Sequence, residues 1–283
     1  MNANQLIIEA KRELVSANSR FGLQGEEEED AWTLLSHASG EEPGLLDEIP
    51  PATVRRFRRL IRRRQAGEPV PYIVGWAEFS GLRLSIRPGT FVPRLTSEFL
   101  AAQAVRRLRR RRRPLHVDLA AGIGPVAIAA AMAVPQASVW GFDISSRALS
   151  QARKNAAALE LDNIRFRLSD LFSGLPASMR GAIDVVTIHP PYVARGEVGG
   201  LPVEMKGYEP RHTLTDGSKD GLGLVRRVIS EGPRWLRPGG WLLIEIMPSE
   251  SARVRTLMSR AGLKEVKSTR GGYKETRVIV GRL

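Results

Sequence analysis

Two short stretches of this chain carry the residues best suited to chemistry. The first is Asp118-Leu119-Ala120-Ala121-Gly122-Ile123-Gly124, where an apolar run, Leu115 to Ala120, gives way to a small-residue helical pattern through Met132. Glycines at such a turn let backbone approach a ligand closely, and the helix start offers free N–H donors. Gly122, Gly124 and Ala127 also fit the G-x-G-x-x-A spacing of dinucleotide sites. Asp143 ends the next apolar run, 21 residues beyond Gly122. A carboxylate there can accept hydrogen bonds from both hydroxyls of a ribose, in NAD and S-adenosylmethionine sites alike. Asp170 ends a third run, in Ser169-Asp170-Leu171-Phe172, a position suited to the edge of an adenine. Polar signals at three successive strand ends mark a nucleotide crevice. The second stretch is His189-Pro190-Pro191-Tyr192, directly after the apolar run Ile183 to Ile188.

These residues need a frame, and the periodicity supplies one. From Pro114 onward, strands are expected at Leu115–Ala120, Ser138–Asp143, Ile164–Ser169, Ile183–Ile188 and Trp241–Ile246. Between and after them come helices through Met132, over Ser146–Leu159, Gly221–Leu236 and Ser249–Ala261. Such alternation predicts an α/β fold: a doubly wound, mostly parallel sheet with its ligand site outside the carboxyl ends of the strands. Leu263–Ser268 and Thr276–Val280, with no helix between them, predict an antiparallel edge hairpin.

Upstream, Gln5–Ser16 forms one amphipathic helix, an acidic stretch Gly25–Asp30 follows, and Asp30 caps a helix over Ala31–Ser39. Pro50-Pro51 opens a third helix that ends near Gly67. Pro69 and Pro71 break the pattern, and Ile73–Phe91 reads as a β-hairpin with turns at Gly81 and Pro88-Gly89. A helix after Pro93 runs into an arginine tract. The expected organisation is a small helical domain at 1–70, a linking β-hairpin and helix at 71–113, and the α/β domain at 114–283.

Composition closes off several classes. The 283 residues include no cysteine, which excludes disulfide scaffolds, thiolate metal sites and cysteine nucleophiles, and suits the cytoplasm. The four histidines lack metal-ligand spacing, so no metal is expected. No apolar run approaches the roughly 20 residues of a membrane span, and the first residues lack a signal-peptide pattern. A cytoplasmic protein without membrane association is therefore expected. The formal charge is +13, with basic runs at Arg55–Arg64 and Arg106–Arg113. Either these form a solvated face, or they attract an acidic or RNA-containing partner. They lack the interleaved aromatics of a base-stacking surface.

The tetrapeptide His189 to Tyr192 resembles the N/D-P-P-Y/F of amino-methyltransferases that act on planar nitrogens. Such a nitrogen has a delocalised lone pair and attacks a sulfonium methyl poorly. A side-chain oxygen and the first proline's carbonyl can accept its N–H groups, while proline offers no competing donor. The aromatic ring packs on the planar group, so positioning supplies much of the catalysis. Further segments are similar to the HemK/PrmC family of peptide-release-factor glutamine N5-methyltransferases. They are Gly67–Gly75 with Glu78-Phe79, Phe91–Arg94 ending at Glu98, and Phe142-Asp143-Ile144-Ser145 with Ala148, Ala152 and Asn155. Tyr208–Arg211, Asp220–Leu222, Leu236–Glu245 and Val278–Arg282 continue the likeness over nearly the whole chain.

The resemblance implies a class I, Rossmann-like methyltransferase using S-adenosylmethionine, with the helical domain recognising a protein substrate of release-factor type. It assigns the cofactor to Asp118, Ala120, Ala121, Gly122, Ile123, Gly124, Asp143, Ile144, Asp170, Leu171 and His189. The substrate amide falls to His189, Pro190, Pro191 and Tyr192.

Departures fall inside the site. His189 stands where the family has Asn, Ala120 where it has Gly, and Leu95-Thr96-Ser97 interrupts the family's PxT. Ala120 is harmless if its φ is negative; otherwise its Cβ is a liability. A neutral imidazole can replace the asparagine oxygen as acceptor, or it can take a proton from a different methyl acceptor, such as a small-molecule amine or carboxylate. Readings from other classes are a NAD(P)-dependent oxidoreductase, an adenine-N6 nucleic-acid methyltransferase and a non-catalytic binding protein.

Overall fold

The computed structural model describes residues 1–21, 27–271 and 277–283. They divide into two compact units, one of residues 1–76, 86–89 and 199–210, the other of 77–85, 90–198 and 211–283. In chain order the elements begin with helices α1 (Ala3–Phe21), α2 (Glu27–Ser39), α3 (Pro51–Gln65) and α4 (Val70–Val74). A hairpin of β1 (Trp76–Phe79) and β2 (Leu82–Ser85) follows, then α5 (Ser97–Leu108), β3 (Leu115–Leu119), α6 (Pro125–Ala133) and β4 (Ser138–Asp143). Next come α7 (Ser146–Ala158), β5 (Ile164–Leu168), β6 (Ile183–Ile188), α8 (Val203–Lys206) and α9 (Gly223–Glu231). β7 (Leu236–Ile246), α10 (Ser251–Arg260), β8 (Lys264–Arg270) and β9 (Arg277–Arg282) complete the order.

The first unit is a small helical body. One stripe of α1 (Leu6, Ile7, Ala10 and Leu14) is buried against Leu34 and Leu35 of α2 and Phe57, Leu60 and Ile61 of α3. α1 outruns the Gln5–Ser16 expectation at its start because Asn2 Oδ1 accepts the Gln5 N–H, at 2.9 Å. α2 begins before Asp30, since Glu27 to Asp30 form its first turn, where negative charge favours the helix dipole. Asp30 is therefore not the cap; it accepts from Arg64 Nε at 2.7 Å. Gly25 and Glu26 lie outside the described residues. Pro69 and Pro71 do not break structure but open α4, because proline in a first turn forfeits only an N–H that has no helical partner. Ile73 and Val74 are thus helical, and the hairpin begins at Trp76.

The second unit holds a seven-stranded sheet among the described residues, in the order β5-β4-β3-β6-β7-β9-β8. β3 to β7 pair in parallel, and β9 inserts antiparallel between β7 and β8. This is the mostly parallel Rossmann-like arrangement with an antiparallel edge. β6 is buried along its whole length, as strands covered on both faces are. Helix α9 stops at Glu231, short of Leu236. Gly232-Pro233 turns the chain, and Leu236 already pairs with Ile183. Thr276 lies outside the described residues. Between β4 and β5, Gly141 is registered against Phe166, and a Cβ on Gly141 would stand 2.5 Å from the ring. A Cβ on Gly124 would stand 2.8 Å from the same ring, which therefore fills the space two glycines leave.

Candidate active site

Strand register brings the two chemical stretches together. Leu119, the last residue of β3, lies beside Phe142 of β4 on one side and Ile188 of β6 on the other. The loops leaving these three strands therefore emerge as neighbours at one edge of the sheet, the place where such folds bind ligands. Between β3 and α6 the backbone takes left-handed conformations at Ala120 (φ 51°), Gly122 (57°) and Gly124 (88°). Glycine adopts these freely, but alanine pays for its Cβ, so Ala120 is not the unstrained residue that a negative φ would have made it. Leu171, after β5, is left-handed too (φ 48°). Backbone strain of this kind gathers at ligand sites.

Asp143 organises the loop. Its Oδ2 accepts the Gly122 N–H and its Oδ1 the Ser145 N–H, each at 2.8 Å. Burial raises its pKa above the ordinary carboxylate value, against those hydrogen bonds, which favour the charged form. A Cβ on Gly122 would meet nothing within 4 Å, so the loop faces open space, and Ile144 beside it is 56% exposed. An anionic acceptor, an open glycine shelf and an exposed aliphatic side chain fit a ribose and an adenine. Asp170 is positioned at the next strand end, but its exposed carboxylate accepts from Arg227 Nη2 at 2.9 Å. Ala121 and Ile123 are buried in the turn itself, where Gly124 N donates to Ala121 O at 2.8 Å.

Asp118 sits beneath the loop, buried. Thr187 Oγ1 donates to it at 2.6 Å, and His116 Nε2 lies 2.8 Å from the same hydroxyl. Since Thr187 spends its proton on Asp118, His116 must donate through Nε2–H, which leaves its Nδ1 without a hydrogen-bond partner among the described residues. Burial pushes Asp118 up to about 7 and His116 down to about 3. Sequence reasoning did not single out His116 or Thr187; parallel pairing of β3 with β6 joins them.

His189 leaves β6 largely buried within this same unit, its side chain 13% exposed. Its ring stacks on Tyr192 with centroids 5.4 Å apart and takes the edge of Phe91 at 5.5 Å. Nδ1 lies 2.8 Å from Ser97 Oγ and 3.7 Å from Glu245 Oε2. Burial lowers the imidazole pKa; Glu245 opposes that shift and Arg94 adds to it. The ring is therefore neutral near pH 7, and the contact with Glu245 is not an ion pair. Burial likewise pushes the Tyr192 hydroxyl up to about 12. Pro190 is buried, and Tyr192 bridges to Thr215. Gly221 holds this turn from behind: its φ is 67°, and a Cβ would lie 2.0 Å from Tyr192 O. Ser97 and Glu245 lie within segments quoted for the family resemblance, yet nothing in their spacing assigned them to the site. Among the described residues no group of His, Asp and Glu is arranged to hold a metal ion.

Known proteins share both halves of this design. Residues 116–270 match the model of a methyltransferase domain, and residues 5–75 that of the PrmC N-terminal domain. The release factor glutamine methyltransferase of Rhodopirellula baltica is 34% identical over 88% of this chain and 84% of its own length. That of Bordetella pertussis is 35% identical over 85% of this chain and 84% of its own. A methyltransferase structure from Pyrococcus furiosus superposes with a TM-score of 0.53 at 17% identity, covering 81% of this chain and 97% of that one, a likeness of fold.

Proposed function

The chain belongs to the release factor glutamine methyltransferase family, a group of S-adenosylmethionine-dependent enzymes, and from that premise we propose that it methylates the side-chain amide nitrogen of a release-factor glutamine. The observation that carries this reading is the His-Pro-Pro-Tyr turn at the end of β6, one strand from the glycine loop that ends β3. S-adenosylmethionine supplies an electrophilic methyl on a sulfonium. The protein's part is to hold an amide nitrogen in line with that methyl and to receive its proton.

In this reading Asp143 takes the ribose hydroxyls and Ile144 lies against the adenine, with Asp170 and Leu171 at the adenine's edge. Ala120, Ala121, Gly122, Ile123 and Gly124 line the methionine arm, and Asp118 faces its cationic end from below. His189 and the Pro190 carbonyl accept the two amide hydrogens, Pro191 contributes no competing donor, and the Tyr192 ring packs on the amide plane. Residues 1–70 recognise the protein substrate, 71–113 link, and 114–283 carry the chemistry. The exposed arginines from Arg109 to Arg113 would draw in an acidic partner.

The test is methylation of a glutamine-containing release-factor loop peptide with labelled S-adenosylmethionine, the product located by mass. Label on the glutamine side chain supports the proposal. Label absent from the peptide, but found on a small amine or carboxylate from a panel, would replace it with a diverged acceptor.

A further inference from the structure

Glu245 is an anomaly in the second unit. It is 3% exposed near the end of β7, and its Oε2 has no hydrogen-bond partner among the described residues. An unpaired buried carboxylate oxygen is costly and calls for a physical account. The polar atom it faces is Nδ1 of His189, at 3.7 Å, with Ser97 Oγ at 2.8 Å from that nitrogen.

Resting on the reading of His189 as the amide's acceptor, we propose that Glu245 is a positioning residue that keeps the imidazole proton on Nδ1, leaving Nε2 as a bare lone pair for the methyl-accepting nitrogen. A neutral imidazole carries one proton, and the tautomer decides which edge accepts. If Ser97 donated to Nδ1, the proton would sit on Nε2, and the ring would present a donor to an amide that itself needs acceptors. A buried negative charge beside Nδ1 disfavours that state. With the proton on Nδ1, the ring donates to Ser97 Oγ and is attracted by the carboxylate. The charged and titratable groups around the ring are Glu245 from β7, Arg94 from the segment before α5, and Tyr192 from its own turn. Among the described residues Glu245 favours a proton on the ring, and Arg94 opposes it.

The reaction then balances. The amide nitrogen forms its bond to the methyl carbon as the carbon–sulfur bond breaks, its electron pair going to sulfur. The N–H proton passes to Nε2, the resulting imidazolium faces Glu245, and water later removes the proton. Asparagine can accept the hydrogen bond but cannot take the proton.

Nitrogen-15 spectra of histidine-labelled protein without substrate read the tautomer directly, with His189→Asn identifying the signal. The expected result at pH 7.5 is a protonated Nδ1 and a bare Nε2; a protonated Nε2 would overturn the proposal. Glu245→Gln, which keeps the shape, should move the ring toward the Nε2–H tautomer and lower kcat by roughly 10²-fold. S-adenosylmethionine affinity should stay within about twofold. An unchanged tautomer in Glu245→Gln would also overturn it. So would an equal loss of kcat from Glu245→Gln in wild-type and His189→Asn backgrounds, since that assigns Glu245 a role independent of the ring. Failure of the peptide assay would remove the glutamine acceptor while leaving the spectra to judge Glu245.

Discussion

Asp143 shapes the glycine loop through Gly122 N and Ser145 N, and the proposed function gives its outer lone pairs a second duty, toward a ribose. Asp143→Ala should therefore weaken S-adenosylmethionine binding by about 2–4 kcal/mol, the worth of one or two charge-assisted hydrogen bonds. Calorimetry measures this, and equal affinities in mutant and wild type would remove Asp143 from the site. Its place at a strand end beside the glycine turn was legible in the sequence because the apolar run stops at a carboxylate a set distance from Gly122. Asp170 has a partner that this logic does not supply. At the next strand end its carboxylate also accepts from Arg227, a residue 57 positions away that no local pattern connects to it. Glu245 and Ser97 were illegible for the same reason. Each becomes chemically meaningful only when another element brings His189 within a few ångströms.

At the level of elements, the sheet was readable because buried parallel strands are short apolar runs punctuated by glycine and proline, and the antiparallel edge because two strands followed without a helix. The errors cluster where proline or charge has two uses. Pro69 and Pro71 open α4, and Glu27 to Asp30 belong inside α2. The arginine runs are not uniform in the fold. Arg64 is 3% exposed, donating to Asp30 and Glu204 at 2.7 Å each, while Arg107 is buried over the Trp241 ring at 4.4 Å. Both are structural cations inside tracts that look uniformly solvated. Gly221 shows how one element constrains another, since its missing Cβ admits the Tyr192 carbonyl. Gly221→Ala should cost about 2–4 kcal/mol, overpacking plus left-handed strain, and should slow methylation by displacing the acceptor turn. Thermal unfolding and turnover together check this; an unchanged melting temperature would show that the loop relaxes freely.

Across the whole molecule, two buried groups pull stability in opposite directions with pH. His116 is neutral in the folded state down to about 3, so its contribution is present above about 6.5 and is lost as pH falls. Asp118 is raised to about 7 from 3.8, so its contribution is present below 3.8 and is lost as pH rises toward 7. Between pH 4 and 6.5 these two contributions offset, roughly. Asp118→Asn removes one arm, so its melting temperature should drop as pH is lowered from 6.5 to 4. A level profile in that variant would break the account. The exposed part of the +13 charge acts at longer range. Raising salt should slow encounter with a full-length acidic partner but not turnover of a short peptide, because the Debye length shrinks from about 10 Å at 0.1 M to 3 Å at 1 M. Equal salt sensitivity for both substrates would leave the arginines as a solvated surface.

The ring of Phe166, wedged against Gly141 and Gly124, has a consequence for descent. Any lineage that placed a side chain at position 141 while keeping an aromatic at 166 would push the ring toward the loop above it, and under the proposed function selection would meet the damage as lost cofactor affinity rather than as a broken sheet. The two positions can change only in a particular order: the ring must shrink before the glycine can grow. Among relatives, a residue larger than glycine at 141 should therefore occur only with a smaller side chain at 166, so the pair is inherited as one character.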